Sequence, residues 1–342
     1  MTTRDVQTFP ASDEVPHEPD DHPLWQESVF LTWADVDQGV YGFHRIGQEV
    51  HADDGQGGQG MVTSWNGITT REGLRFRRYL FDPIRVEDRR PSGFSAGPDI
   101  AFEHDGEHTT WTIEDPDCSM SLRAADYTPR FDLFRAGGSV AENFAAGHLE
   151  VGSAITGSVR IGDRHIDVDG LAYRDHSWGK RDRSTMLSHR WVAGTVGPEL
   201  TFNATAWHGT DGSLRTYGIV CREGEISYAT DVDIVVYMEI DAVSHRGGVL
   251  RMTLDDGDTI EIAARHIDGF LTKHHNTGCV DALCDVEWQG RRGFCDLEVS
   301  TNPRAGTAPI MGLVRATDQN GLSQRPWVYD KGDSATGVPH VR

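Results

Sequence analysis

Between Gly170 and Arg181 the chain reads Gly-Leu-Ala-Tyr-Arg-Asp-His-Ser-Trp-Gly-Lys-Arg, which crowds acid, imidazole, phenol, indole and guanidinium groups together. In an extended backbone successive side chains point to opposite faces. Tyr173, Asp175 and Ser177 would then share one face, and Arg174, His176 and Trp178 the other. A carboxyl group set in an apolar cavity loses hydration when it ionises, so it can keep its proton near neutrality and act as an acid. Asp175 is therefore the candidate acid, with Tyr173 placed to orient it or to stabilise positive charge. His148 and Glu150, also two apart and so on one strand face, are candidates for positioning or deprotonating water. A purely structural account of the same segment has Asp175 held by Arg174 or by backbone N–H groups, with Trp178 and Gly179 packing a junction.

Strands must carry these residues. From Trp25 onward, short apolar or alternating runs are cut every eight to twelve residues by Gly, Asp or Asn. Residues 74–81, 109–113 and 119–123 alternate, and Asp105-Gly106 and Asp256-Gly257 supply hairpin turns. Residues 155–161, 166–173, 191–196, 200–207, 216–221 and 232–240 read as further strands. Helical periodicity is confined to two short stretches, near Ser139–Ala146 and Asp35–Tyr41. The predicted class is all-β, with two antiparallel barrels or sandwiches that hide their strand edges by closing. Residues 1–24 carry four prolines and six acidic residues, a composition that predicts a disordered leader. The first domain is expected over 25–183, ending in the Tyr173–Gly179 segment, the second over 184–335, with a tail at 336–342.

Composition narrows the function. Lys plus Arg number 32 against 53 Asp plus Glu, a net charge of −21, which disfavours nucleic acid and anionic membranes as partners. No run of 18 apolar residues occurs, and the first 24 residues lack the basic start and apolar stretch of an export signal. A cytoplasmic chain without membrane insertion, its five cysteines reduced, is the expectation. Gly55–Gly60 spells G-x-G-x-x-G, but no buried strand precedes it and no helix follows, so no dinucleotide cofactor is expected. Cys279 and Cys284 match no common zinc spacing and read as buried cysteines on adjacent strands; His148-Leu149-Glu150 lacks the P-C-x-x-C partner of the zinc deaminases. No metal is expected.

Tyr173-Arg174-Asp175-His176-Ser177-Trp178-Gly179, preceded by Trp25-Gln26-Glu27-Ser28 and followed by Arg190-Trp191, resembles the carotenoid 1,2-hydratase (hydroxyneurosporene synthase) superfamily. The resemblance implies tandem lipocalin-like domains over about residues 25–335, with the D-H-x-W-G motif near their junction. Members of that superfamily include hydratases, cyclases and lipid carriers. In the hydratases the motif's Asp protonates an isolated C=C bond, assisted by the preceding Tyr and an upstream His-x-Trp pair. Asp175, Tyr173 and His148 match these positions, while Glu150 stands where the aromatic would be. His176, Trp178, Arg174 and Trp191 are expected to shape the substrate surface. The resemblance thus implies a cofactor-free hydro-lyase, cyclase or isomerase for an apolar isoprenoid, steroid or polyketide, and the alternative is a non-catalytic carrier of such a molecule. A homodimer is left open.

Overall fold

The computed structural model describes residues 8–52, 60–132, 144–238, 245–274, 277–302 and 320–324. Its first strands are β1 (Trp25–Asp35), β2 (Val40–Glu49), β3 (Met61–Thr70), β4 (Leu74–Pro83), β5 (Arg89–Arg90), β6 (Gly93–Ala96) and β7 (Ile100–His104). Next come β8 (His108–Asp115), β9 (Cys118–Asp126), β10 (Phe131–Asp132), β11 (Gly147–Ile161) and β12 (Arg164–Lys180). The later strands are β13 (Met186–Thr195), β14 (Thr201–Gly209), β15 (Leu214–Arg222), β16 (Glu225–Met238), β17 (His245–Leu254), β18 (Thr259–His274), β19 (Thr277–Trp288), β20 (Arg291–Thr301) and β21 (Gly321–Gln324). Strands β13 to β20 close into an eight-stranded barrel, and the others form a curled thirteen-stranded sheet. The all-β reading holds. Only one of the two sheets closes; the open one ends in the two-residue β5 and the four-residue β21, short edges that offer little template for strand addition.

The chain divides into two compact units, one of residues 1–33, 43–66 and 78–182, the other of residues 34–42, 67–77 and 183–342. The tips of the β1–β2 and β3–β4 hairpins thus belong to the second unit. There Tyr41 donates to Asp285 at 2.5 Å, and Asp268 receives Thr69 and Arg75, both at 2.8 Å. The helix expected at Asp35–Tyr41 is instead the turn between β1 and β2, with Asp35 capping the Gln38 N–H at 3.0 Å. The helix expected near Ser139–Ala146 falls mostly outside the described residues, as do the glycine loop before Gly60 and the tail at 336–342.

Each unit has its own core. In the first, ring contacts run from Phe94 through Phe102, Trp111 and His44 to Trp33. His44 accepts from the Trp33 indole and pairs with Asn66, and complete burial holds its imidazole neutral, with a pKa lowered to about 3. In the second, Val192, Phe202, Leu250, Met252, Ile262 and Leu297 fill the barrel interior. Cys284 and Cys295 lie opposite each other across β19 and β20 in that core, whereas Cys279 shares strand β19 with Cys284. No described helix is long and apolar enough to cross a membrane.

Residues 8–24 depart from the expected disorder. A 3-10 turn at Ala11–Glu14 carries Glu14 into complete burial, and Phe9 N–H bonds the Arg130 carbonyl. Composition failed here because this segment is ordered by specific ion pairs and not by apolar burial of its own.

Candidate functional site

The hairpin of β11 and β12 sets the geometry. Its register places His148 opposite Ser177, Glu150 opposite Asp175 and Gly152 opposite Tyr173, so these residues project from one face. Leu149, Val151, Arg174 and His176 project from the other, the face that continues through Ile155, Ala124, Leu122 and Trp111 into the aromatic core. On the first face Ala154, Thr156 and Ser158 are exposed, yet at the open end of the hairpin His148, Glu150, Tyr173 and Ser177 are buried. Gly147 permits this packing, because a Cβ there would stand 2.2 Å from the Trp178 ring. Gly179, with φ of +106°, turns the chain where a Cβ would strike Ala146.

Four of the residues singled out by type and spacing meet on that face. The Tyr173 hydroxyl donates to one oxygen of Glu150, and His148 Nε2 lies 3.3 Å from the other. The same nitrogen is 3.8 Å from Asp175 Oδ1. One imidazole therefore stands between two carboxylates. Glu150 is fully buried, while Asp175 keeps 15% of its side-chain exposure and is the member that water reaches. Asp175 is thus not sealed in an apolar hollow; its named neighbour is the His148 imidazole, and Arg174 points the opposite way.

Arg174, His176 and Trp178 form a brace behind the site instead of lining it. Arg174 meets Glu14 at 2.9 Å and Asp126 at 2.6 Å. Burial alone would raise the Glu14 pKa, but the charge and hydrogen bond of Arg174 prevail, helped by His176 and Arg130, and lower it to about 2. His176 Nε2 contacts Glu27 at 3.0 Å, and His17 Nδ1 contacts the same oxygen at 2.7 Å. Burial raises the Glu27 pKa as well, and the two histidines and Arg89 overcome it, again to about 2. Trp178 stacks on His17 with ring centroids 3.8 Å apart. Sequence reasoning missed Glu14, His17 and Asp126; Glu27 was visible only as part of Trp25–Ser28.

His17, Glu27 and His176 offer ligand atoms within 4.8 Å of one another, a spacing a metal ion tolerates. Arg89 stands 2.8 Å from the second oxygen of Glu27 and already matches its charge, so the set reads as an ion-pair clamp. Trp191 belongs to the second unit. It lies on β13, buried, between Glu298 of β20 and Thr205 of β14.

The fold recurs in solved structures. A protein described as an AttH from Nitrosomonas europaea superimposes with a TM-score of 0.63 at 12% identity, covering 84% of this chain and 98% of its own. CghA gives 0.57 at 13%, covering 82% and 88%, and kievitone hydratase from Nectria haematococca gives 0.53 at 9%, covering 81% and 88%. At such identities the likeness is one of fold. No curated protein sequence matches the chain significantly. The family described as "Domain of unknown function (DUF7064)" matches residues 10–303, most of the chain, and so this protein, with its Asp175–His148–Glu150 cluster and the brace behind it, belongs to the DUF7064 family.

Proposed function

We propose that the chain is an enzyme that adds water to, removes water from, or rearranges an uncharged apolar substrate by proton transfer at Asp175. The observation that carries this reading is the His148 imidazole lying 3.3 Å from Glu150 and 3.8 Å from Asp175. Glu150, clamped by the Tyr173 hydroxyl, orients the imidazole from the buried side; His148 passes a proton to and from Asp175; Asp175, at the wet end, exchanges it with the substrate. In the hydration direction Asp175 would protonate one carbon of a C=C bond, the adjacent carbon would become cationic, and water would add there. The proton that water releases then returns to the Asp175–His148 pair, so the net change is addition of one water. Dehydration is the reverse, and cyclisation replaces water by a nucleophile within the substrate.

Two fold relatives lend support by what they are: kievitone hydratase by its name, and CghA by having been solved with Sch210972. The resemblance of Tyr173–Gly179 to the carotenoid hydratase superfamily points to the same chemistry, and its tandem lipocalin-like architecture is the finer fold reading we adopt. The substrate class we favour is an isoprenoid, steroid or polyketide, handled without a cofactor.

The test is extraction of the purified protein with organic solvent, identification of co-purified lipids by mass spectrometry, and incubation of those lipids with the protein in H2(18)O. Incorporation of label, or rearranged product, that disappears in Asp175→Asn with retained ligand binding supports the enzyme. Ligand recovered unchanged by both proteins supports a carrier and overturns it.

A further inference from the structure

Glu150 and Asp175 stand directly opposite each other in the β11–β12 register, and cross-strand partners bring their Cβ atoms to about 5 Å. Two ionised carboxyls at that range repel. His148 Nε2, 3.3 Å from one and 3.8 Å from the other, answers the repulsion only while the imidazole carries a proton. An imidazole that must release its proton to work cannot also be the standing counter-charge. The cluster calls for a cation that never deprotonates.

The chain supplies one just beyond the strand. Gly179, with its positive φ, turns the backbone at the end of β12, and the Arg181 N–H bonds the Leu24 carbonyl at 2.9 Å. The Arg181 side chain reaches back: its Nη2 donates to the Ser177 hydroxyl at 2.5 Å, and its guanidinium lies over the Phe144 ring, 4.3 Å from the centroid. Ser177 projects from the same face as Asp175 and is the register partner of His148. From β1 the Ser28 hydroxyl stands 3.3 Å from that of Ser177. Arg181 keeps only 7% exposure, so its charge is held one side chain away from the imidazole and out of the water that would screen it.

The other charges on the surrounding elements point elsewhere. Glu27 of β1 is on the opposite face, taken by His17, His176 and Arg89. Asp132 of β10 pairs in register with Leu149, away from the cluster, and the partner of Glu150 there is the apolar Phe131. Arg174 turns to Glu14 and Asp126, and Lys180 and Asp182 stand 3.8 Å from each other. Tyr173 meets Glu150 as a neutral hydroxyl donor.

We propose that Arg181 is a positioning residue for the proton at His148. Held by Ser177, its fixed charge offsets Glu150 and Asp175, so the imidazole can give up its proton and take it back without leaving two carboxylates uncompensated. The proposal rests on the proton-transfer reading of Asp175. Arg181 acts through Ser177 and through its field, without touching substrate.

The test is an NMR titration of the histidine ring nitrogens in the full chain, the His148 signal being identified by its loss in His148→Gln. Arg181→Gln keeps a donor for Ser177 and removes the charge. Its His148 midpoint should lie about one pH unit above the wild-type value, a proton held about tenfold tighter, about 1.4 kcal/mol. Arg181→Lys keeps the charge and should hold the midpoint within about 0.3 unit of the wild type. A role in packing alone would move both variants alike or neither. Phe144→Glu leaves Arg181 in place and sets a carboxylate against it; it should raise the midpoint too, and it decides the matter where Arg181→Gln does not fold. An unmoved midpoint in the charge-cancelling variant, an equal rise in Arg181→Lys, or a wild-type His148 with no midpoint between about pH 4 and about pH 9 overturns the proposal. These readouts use no substrate, so they succeed or fail apart from Asp175→Asn, whose turnover judges the proton-transfer reading itself.

Discussion

At the scale of single residues the argument concerns which oxygen and nitrogen atoms hold a proton. If Asp175 exchanges protons with substrate, Asp175→Asn should lower turnover by at least about a hundredfold while leaving the melting temperature nearly unchanged, since the side chain is partly exposed and its ion pair with His148 is a long one, at 3.8 Å. Tyr173→Phe should behave differently. It strips a fully buried carboxylate of a hydrogen bond, so it should cost about 2 kcal/mol of stability by denaturant titration and lower turnover less than Asp175→Asn does. The meeting of His148 and Glu150 with Asp175 was within reach of the sequence, because a period of two and an antiparallel hairpin bring residues 148–150 beside 173–177. What was not legible is that Asp175 keeps 15% of its side-chain exposure instead of lying in an apolar hollow, because exposure at a strand end depends on what packs over it and not on the local pattern.

At the scale of elements, the β11–β12 hairpin is held from behind by the 8–24 segment, and acid should reveal it. Glu14 has a pKa of about 2 in the folded chain against an ordinary 4.5. A folded value below the unfolded one means stabilisation that is complete above about 4.5 and is lost as pH falls towards 2. The difference corresponds to about 3 kcal/mol, so Glu14→Gln should lower stability at neutral pH by about that amount and flatten the acid limb of a stability–pH curve measured in urea. His44 acts in the same direction from 6.5 downward, because the unfolded chain takes up a proton that the buried imidazole, at about 3, refuses. Gly147→Ala tests the hairpin's own packing. With the new methyl against the Trp178 ring it should cost about 1–3 kcal/mol and displace the indole, read as a shift in Trp emission. The strands themselves were legible from alternation and Asp-Gly turns. The ordered 8–24 segment was not, because Glu14 and His17 find partners some 116 to 160 positions away, at Arg130, His176 and Arg174, and composition weighs only what a segment buries by itself.

At the scale of the whole molecule, the all-β class followed from the rhythm of the chain, whereas closure of a single sheet did not, because the number of strands and their stagger, not their periodicity, decide whether a sheet meets itself. The barrel's stability rests on interior side chains, and Phe202→Ala should cost about 3–5 kcal/mol, measured by chemical denaturation. All five cysteines are buried and free, and burial with the Asp115 charge pushes the Cys118 thiol up to about 12, so a thiol reagent should label none of them until the protein is unfolded. A practical warning follows from the Glu14–Arg174 pairing. An expression plasmid begun at Trp25, the usual choice when a proline-rich start looks dispensable, would unplug Glu14 and His17 together and take from Arg174 one of its two carboxylates, leaving Asp126 and the Ser153 hydroxyl. Such a shortened protein would report on a slackened scaffold, and low yield or silence in an assay would say nothing about Asp175.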